Sequence, residues 1–222
     1  MRKTEFANDE FYHIYNRGVD KRDVFINRVG YERFFLSVSL LNDEKEGWLE
    51  VWRNLPGKKK SINDFRRFNL RKPLVDIVAY CFNPNHYHFI LKQLEEKGVE
   101  KFMHRLGTAY TMFFNMKYKR SGALFQGRFK SIHIDSNEYL LYLSAYVNKN
   151  NFIHGYGNSN WRYSSLAEYR KEKNQKVNIC NPSSILDQFE SVNDYGEFLN
   201  KNALYLKDKK EEQKYLLESP EG

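Results

Sequence analysis

Apolar and polar positions along the 222-residue chain change period several times, and each change marks an element. Phe11-Tyr-His-Ile-Tyr15 is a short aromatic and β-branched run stopped by Asn16-Arg-Gly18, which predicts a strand and a turn. Apolar residues at 31, 34, 35, 38 and 41 recur with helical spacing. An apolar run from Val75 to Phe82 leads through Asn83-Pro-Asn85 into a second run, His86 to Leu91, the pattern of two hairpin arms about a turn. Val99, Phe102, Met103, Leu106, Tyr110 and Phe113 form a helical stripe that ends near Ser121-Gly122. Ser131-Ile-His-Ile-Asp135 alternates as a strand does, and Asp135 or Ser136 can cap a helix running to about Asn150.

The order strand, helix, two strands, helix, strand, helix is that of a ferredoxin-like α+β sandwich, an antiparallel sheet with helices on one side. The pattern places one domain over residues 1–155. It is interrupted by a charged excursion at 42–73 that holds Trp48, Trp52 and Pro56-Gly57. After Gly155 the character changes, and residues 156–222 read as a helical C-terminal extension with a frayed tail.

Composition narrows the class. No apolar run approaches the ~18 residues of a membrane span, and the N-terminus lacks the apolar core of a signal peptide. Cys81 and Cys180 have neither metal nor redox spacing. These features predict a soluble protein of a reducing compartment, the cytoplasm. The net charge of +8 is unevenly spread. Residues 101–134 hold seven basic side chains and no acid, and residues 58–72 hold seven more against Asp64 alone. Two such runs point to a polyanionic partner, most simply nucleic acid.

Candidate chemistry begins at the second hairpin arm. Side chains alternate across a strand, so His86 and His88 share one face while Tyr87 and Phe89 share the other. Two adjacent imidazoles can ligate a metal, although packed or hydrogen-bonded histidines are the commoner use of this spacing. On the helix that follows, Tyr146 and Asn150 stand four residues apart and project from one face. Two imidazoles and an amide oxygen suit Mg²⁺ or Mn²⁺ with positions left for a phosphate oxygen. A tyrosine beside such a cation can serve as nucleophile, and on geometry Tyr142 has nearly the same claim as Tyr146.

Four motifs then carry a resemblance: Tyr12-His-Ile-Tyr-Asn-Arg-Gly18, Asn83-Pro-Asn-His-Tyr-His-Phe-Ile-Leu91, Leu124-Phe-Gln-Gly-Arg-Phe-Lys-Ser131 and Ala145-Tyr-Val-Asn-Lys-Asn150. In order and spacing they resemble the insertion-sequence 200-like transposases, most nearly the REP-associated tyrosine transposases of the His-hydrophobic-His endonuclease superfamily. The resemblance implies cleavage and rejoining of single-stranded or hairpin DNA, with a 5′-phosphotyrosine link and a free 3′-hydroxyl. It implies Tyr146 as nucleophile and His86, His88 and Asn150 as ligands of Mg²⁺ or Mn²⁺; the sequence leaves monomer and homodimer both open. Expected DNA contacts are Arg17, Lys58, Lys59, Lys60, Arg66, Arg67, Arg105, Lys117, Lys119, Arg120, Arg128 and Lys130. The same basic groove would also serve a DNA-binding protein without catalysis, a reading that the intact set of four site residues disfavours. The chain departs from many relatives in carrying Asn83 where they carry Met, and in its longer excursion at 42–73.

Overall fold

The computed structural model describes residues 5–55, 72–157, 161–172 and 178–218, the side chains of 212–218 apart. Strand β1, Phe11–Arg17, is central, with β3, His86–Gln93, on one side and β4, Lys130–Ile134, on the other. Strand β2, Val75–Asn83, pairs with β3 and forms the far edge, giving the order β2-β3-β1-β4 with every pair antiparallel. That is the ferredoxin-like arrangement the sequence pattern predicts.

Register decides which residues meet. Tyr15 stands opposite His88, and His88 in turn opposite Cys81; Arg17 and Asn83 both stand opposite His86. His13, Tyr15, Cys81, Asn83, His86 and His88 therefore share one face of the sheet. Tyr12, Ile14, Tyr80, Phe82, Tyr87 and Phe89 share the other and are all buried.

Helices α1, Arg28–Leu41, and, beyond α2, Trp48–Asn54, α3, Gly98–Lys117, pack on the sheet, α1 and α3 covering this second face. Phe34 from α1 touches the rings of Phe82, Tyr87, Phe89 and Tyr110, and Tyr110 from α3 closes the layer. Burying each such ring is worth roughly 1.5–3 kcal/mol, so this aromatic layer is the main source of sheet stability. Asn27 caps α1 by accepting from Gly30 N.

The helix after β4 departs from the expectation of helices on one side alone. Helix α4, Asn137–Asn148, lies on the histidine face, its hydrophobic residues Leu140, Leu143 and Val147 buried against the sheet. Ser136 is the cap, accepting from Tyr139 N at 3.2 Å. The helix also stops two residues short of Asn150, which begins a separate turn, α5, Asn150–Ile153. Between them Lys149 leaves helical geometry, with φ −111° and ψ 14°, and at the helix end the side chain of buried Asn148 donates to Tyr195 Oη at 2.9 Å and accepts from Ser165 Oγ at 2.6 Å.

Helix α2, Trp48–Asn54, occupies the described part of the 42–73 excursion. Trp48 is buried against Leu40 of α1, with Trp52 packed on the same cluster, so both tryptophans anchor the excursion. Its two ends meet where Asn42 Oδ1 accepts from Leu74 N and Val75 N.

The C-terminal segment covers the open edge of β2. Tyr163 O accepts from Phe82 N, Ser165 N donates to Tyr80 O, and Asn181 N donates to Ile77 O. Tyr169 of α6, Leu166–Tyr169, donates its hydroxyl to Val78 O, and Cys180 Sγ is bonded to the same oxygen. An exposed edge would otherwise offer its backbone groups to another chain. Helix α7, Ser183–Leu186, contributes buried Ile185, and helix α8, Val192–Glu218, packs Tyr195, Leu199 and Ala203 against the same body. Cys81 and Cys180 are both buried free thiols. No helix among the described residues is long and apolar enough to cross a membrane.

Ser165 joins these layers, because its hydroxyl accepts from Tyr80 N at 2.9 Å and donates to Asn148 Oδ1. Ser165→Ala leaves two buried polar groups short of a partner and should cost about 1–3 kcal/mol, read as a lower urea midpoint with an unchanged slope.

Candidate active site

The two faces of the hairpin arm have different fates. Tyr87 goes into the aromatic layer, whereas His86 and His88 look toward α4 and α5. A tight turn at Pro84-Asn85 precedes them, held from the side by the loop after β1: Val24 N and Phe25 N donate to Pro84 O, and Gly18 N donates to Asn85 O. Gly18 is required there, because a Cβ would collide with Arg22 O.

A cavity of about 260 Å³ opens over this face, lined by Tyr15, Asn16, Arg17, His86, His88, Gln126, Lys130, Tyr146 and His154. Of the two candidate tyrosines, Tyr146 lines it. Its ring lies edge-on to His88 at 5.5 Å between centroids and to His13 at 6.2 Å. Tyr142 sits partly exposed, in the field of Tyr205 and Tyr139 and outside the lining. Burial pushes the Tyr146 hydroxyl above its usual pKa, with the Asn150 side chain pulling the other way.

The hydrogen bonds fix how each imidazole is presented. Asn85 Nδ2 donates to Lys21 O, which turns Asn85 Oδ1 toward His86 Nδ1 at 2.6 Å. An amide oxygen only accepts, so the ring hydrogen is on Nδ1 and the Nε2 lone pair is free to face inward. It faces Asn150 Oδ1 at 3.0 Å. Asn83 Nδ2 sits against both acceptors, 3.0 Å from His86 Nε2 and 2.6 Å from Asn150 Oδ1. His88 Nδ1 lies 2.8 Å from His13 Nε2. With the hydrogen on His88 Nδ1, its Nε2 is likewise a lone pair, the arrangement second-neighbour residues impose on metal-binding histidines.

Among the described residues no three His, Cys, Asp or Glu side chains are gathered to hold a metal. The donor set is therefore two imidazoles and an amide. It fits a divalent cation on one count in particular: two acceptor atoms 3.0 Å apart, His86 Nε2 and Asn150 Oδ1, repel each other unless a positive group sits beside them. The Asn83 amide supplies part of that. Protonation supplies none, because burial lowers His13, His86 and His154 to about 4 and His88 well below its usual value. Neutral imidazole is the metal-binding form.

The expected DNA contacts divide by location. Arg17 and Lys130 line the cavity and form no ion pair with a described carboxylate, and Arg17 Nε is buried without a hydrogen-bond partner. Arg128 is exposed on the adjoining loop. Arg105 is spent elsewhere, its guanidinium donating to Asp43 O and Glu46, which ties α3 to the excursion. Arg120 likewise closes the end of α3 through Asn115 and Ala123 O. Lys117 packs over Phe113 and Tyr118, and Lys119 follows in a left-handed turn. Lys58, Lys59, Lys60, Arg66 and Arg67 lie outside the described residues.

Sequence reading passed over His13, Tyr15, Asn83, Asn85, Gln126, His154 and Tyr156 as site residues. His13 and Tyr15 alternate in β1 as His86 and His88 do in β3, so the signal was present once the two strands were paired. Asn85 and Tyr156 form a chain behind His86, with the Tyr156 hydroxyl donating to Asn85 Oδ1 at 3.1 Å.

These buried imidazoles make an acid limit to stability. The unfolded chain takes up protons near pH 6.5, while folded His13, His86 and His154 resist until about 4. Between those values the unfolded state binds more protons, so stability falls as pH drops through the window. The melting temperature in chelator should fall steadily from pH 6.5 to 4.5, and His13→Gln should flatten the slope.

Comparison with known proteins supports the resemblance over the part of the chain that holds the motifs at 83–91, 124–131 and 145–150. A family model described as "Transposase IS200 like" matches residues 57–150. No curated protein matches the chain. Among solved structures, one titled "Structure of the REP associates tyrosine transposase bound to a REP hairpin" is similar over 83% of this chain and 95% of that one, at 12% identity and a TM-score of 0.47. The matched stretch, 57–150, contains His86, His88, Tyr146 and Asn150.

Proposed function

We propose that the protein cleaves and rejoins single-stranded DNA next to a hairpin, using Tyr146 as the nucleophile and a divalent ion, Mg²⁺ or Mn²⁺. The observation that carries this reading is the meeting of three unlike groups in one cavity: the Tyr146 hydroxyl, two neutral imidazoles, and an Arg17 guanidinium nitrogen left without a partner. A phosphodiester site requires a cation beside the phosphate, and Arg17 brings one to the cavity wall.

His86 Nε2, His88 and Asn150 Oδ1 would hold the ion, which when bound polarises the phosphodiester and steadies the charge on its oxygens. Arg17 and Lys130 orient the phosphate from the β1 and β4 side. Tyr146 attacks from α4, its oxygen forming a bond to phosphorus as the bond to the 3′ oxygen breaks. The phenolic proton ends, through water, on that 3′ oxygen, leaving a free 3′-hydroxyl and a 5′-phosphotyrosine. A second 3′-hydroxyl reverses the step, and the strand is rejoined. Tyr15, stacked on His88 at 5.6 Å with Lys130 above it, is an aromatic surface for an unpaired base.

Tyr146→Phe is expected to lose covalent capture of a cleaved hairpin oligonucleotide on a denaturing gel while keeping its affinity for the DNA; undiminished capture removes the assignment. His86→Ala and His88→Ala should each reduce cleavage in Mg²⁺ or Mn²⁺ by at least 10²-fold. Full activity of the parent protein in chelator contradicts the metal role.

A further inference from the structure

One polar chain at the cavity is not used by this mechanism. His154, on the turn that follows Asn150, places Nε2 3.4 Å from Tyr146 Oη. Its other nitrogen, Nδ1, lies 2.8 Å from Lys210 Nζ, which also donates to Ile153 O at 3.3 Å. Lys210 belongs to α8, well outside the stretch that matches the transposase family model. The packing of Lys207 over Phe152 at 4.9 Å holds the same helix turn against α5.

Donor and acceptor rules fix the direction of this chain. A lysine ammonium only donates, so His154 Nδ1 must accept. In a neutral ring the hydrogen is then on Nε2, and Nε2 must donate to Tyr146 Oη. His154 in this state cannot take the phenolic proton. It is instead a fixed donor aimed at the oxygen that becomes negative when Tyr146 loses its proton, and again when the phosphotyrosine bond breaks. Donors placed where charge develops are among the strongest contributors to rate.

We propose that His154 is a catalytic residue that stabilises the Tyr146 phenolate, as nucleophile in cleavage and as leaving group in rejoining, and that Lys210 is a positioning residue that sets the His154 tautomer. In rejoining, the incoming 3′ oxygen bonds to phosphorus, the bond from phosphorus to Tyr146 Oη breaks, and the phenolate accepts the Nε2–H hydrogen bond. The proton lost by the 3′-hydroxyl returns through water to the phenolate. This inference rests on the proposed role of Tyr146 and brings the C-terminal helix into the chemistry. The site is then complete only with α8 in place.

The test uses the full-length protein in Mg²⁺ with a labelled hairpin oligonucleotide bearing a single-stranded flank. First-order rates of covalent capture and of rejoining by an added 3′-hydroxyl strand are measured at saturating DNA, with affinity measured separately. His154→Phe should slow both rates about 10²-fold, the loss typical of one such donor, without weakening binding. His154→Gln, whose amide can still donate, should recover a tenfold part of that loss. Lys210→Met should slow both rates about tenfold, yet add nothing to His154→Phe, since Lys210 acts through that ring. A structural strap alone predicts the opposite: a lower melting temperature, unchanged rates and no rescue by glutamine. Unchanged rates in His154→Phe, or additive loss in the double variant, overturn the inference. Capture that persists in Tyr146→Phe overturns the underlying reading instead, so the two failures are distinguishable.

Discussion

The pairing of β1 with β3 is the constraint on which the site depends. Because side chains alternate along a strand, that one register puts His13 and Tyr15 beside His86 and His88 on the same face. A slip of one residue would turn both histidines into the aromatic layer and bring Tyr87 and Phe89 out beneath α4. Such a slip would bury neutral imidazoles among Phe34, Phe82 and Tyr110 without partners while turning two large rings out of the aromatic layer. The aromatic layer under α1 and α3 therefore enforces the chemistry of the opposite face, although none of its residues touches the cavity.

The histidine face is held by polar contacts where the other is held by apolar ones. Burial keeps the imidazoles neutral, and each ring is oriented by a neighbour: His86 by Asn85, His88 by His13, His154 by Lys210. The cost of withdrawing these groups from water is offset by that chain of partners, and the exceptions are informative. Arg17 Nε and Asn150 Nδ2 are buried atoms with no hydrogen-bond partner, both at or beside the cavity. A charged ligand in the cavity would complete these two atoms, whereas Arg33 Nε and Ser37 Oγ, also buried without a hydrogen-bond partner, lie on α1 away from it. Asn83 bridges His86 and Asn150. Its amide relieves the repulsion between their lone pairs, which gives this chain its own way of holding the two acceptors together.

Location also sorts the positive charge. The excess of lysine and arginine was visible as two runs, yet the members of a run do different work. Arg105 ties α3 to the excursion and Arg120 closes a helix end, whereas Arg17, outside either run, is the guanidinium that faces the cavity. The C-terminal segment has a similar double character. It shields the edge of β2, and it carries Lys210 to the site from a helix far along the chain.

The sequence by itself determined the order of elements, the strand alternation that pairs His86 with His88, and the motifs that fall within the stretch similar to a transposase family model. These are local properties: side-chain period, turn chemistry at Asn83-Pro-Asn85, and capping at Ser136 are each legible within a few residues. The choice of Tyr146 over Tyr142 as the cavity tyrosine was open on helical spacing and needed the packing of α4. Only the tertiary structure decided that α4 lies on the histidine face, that Asn150 stands on a turn of its own, and that His13, Asn83, His154 and Lys210 join the site. Those facts depend on contacts between residues distant in the chain, such as His13 with His88, 75 positions apart, and with Tyr146. Neither period nor propensity encodes them, because they follow from how strands register and helices pack once the aromatic layer has formed.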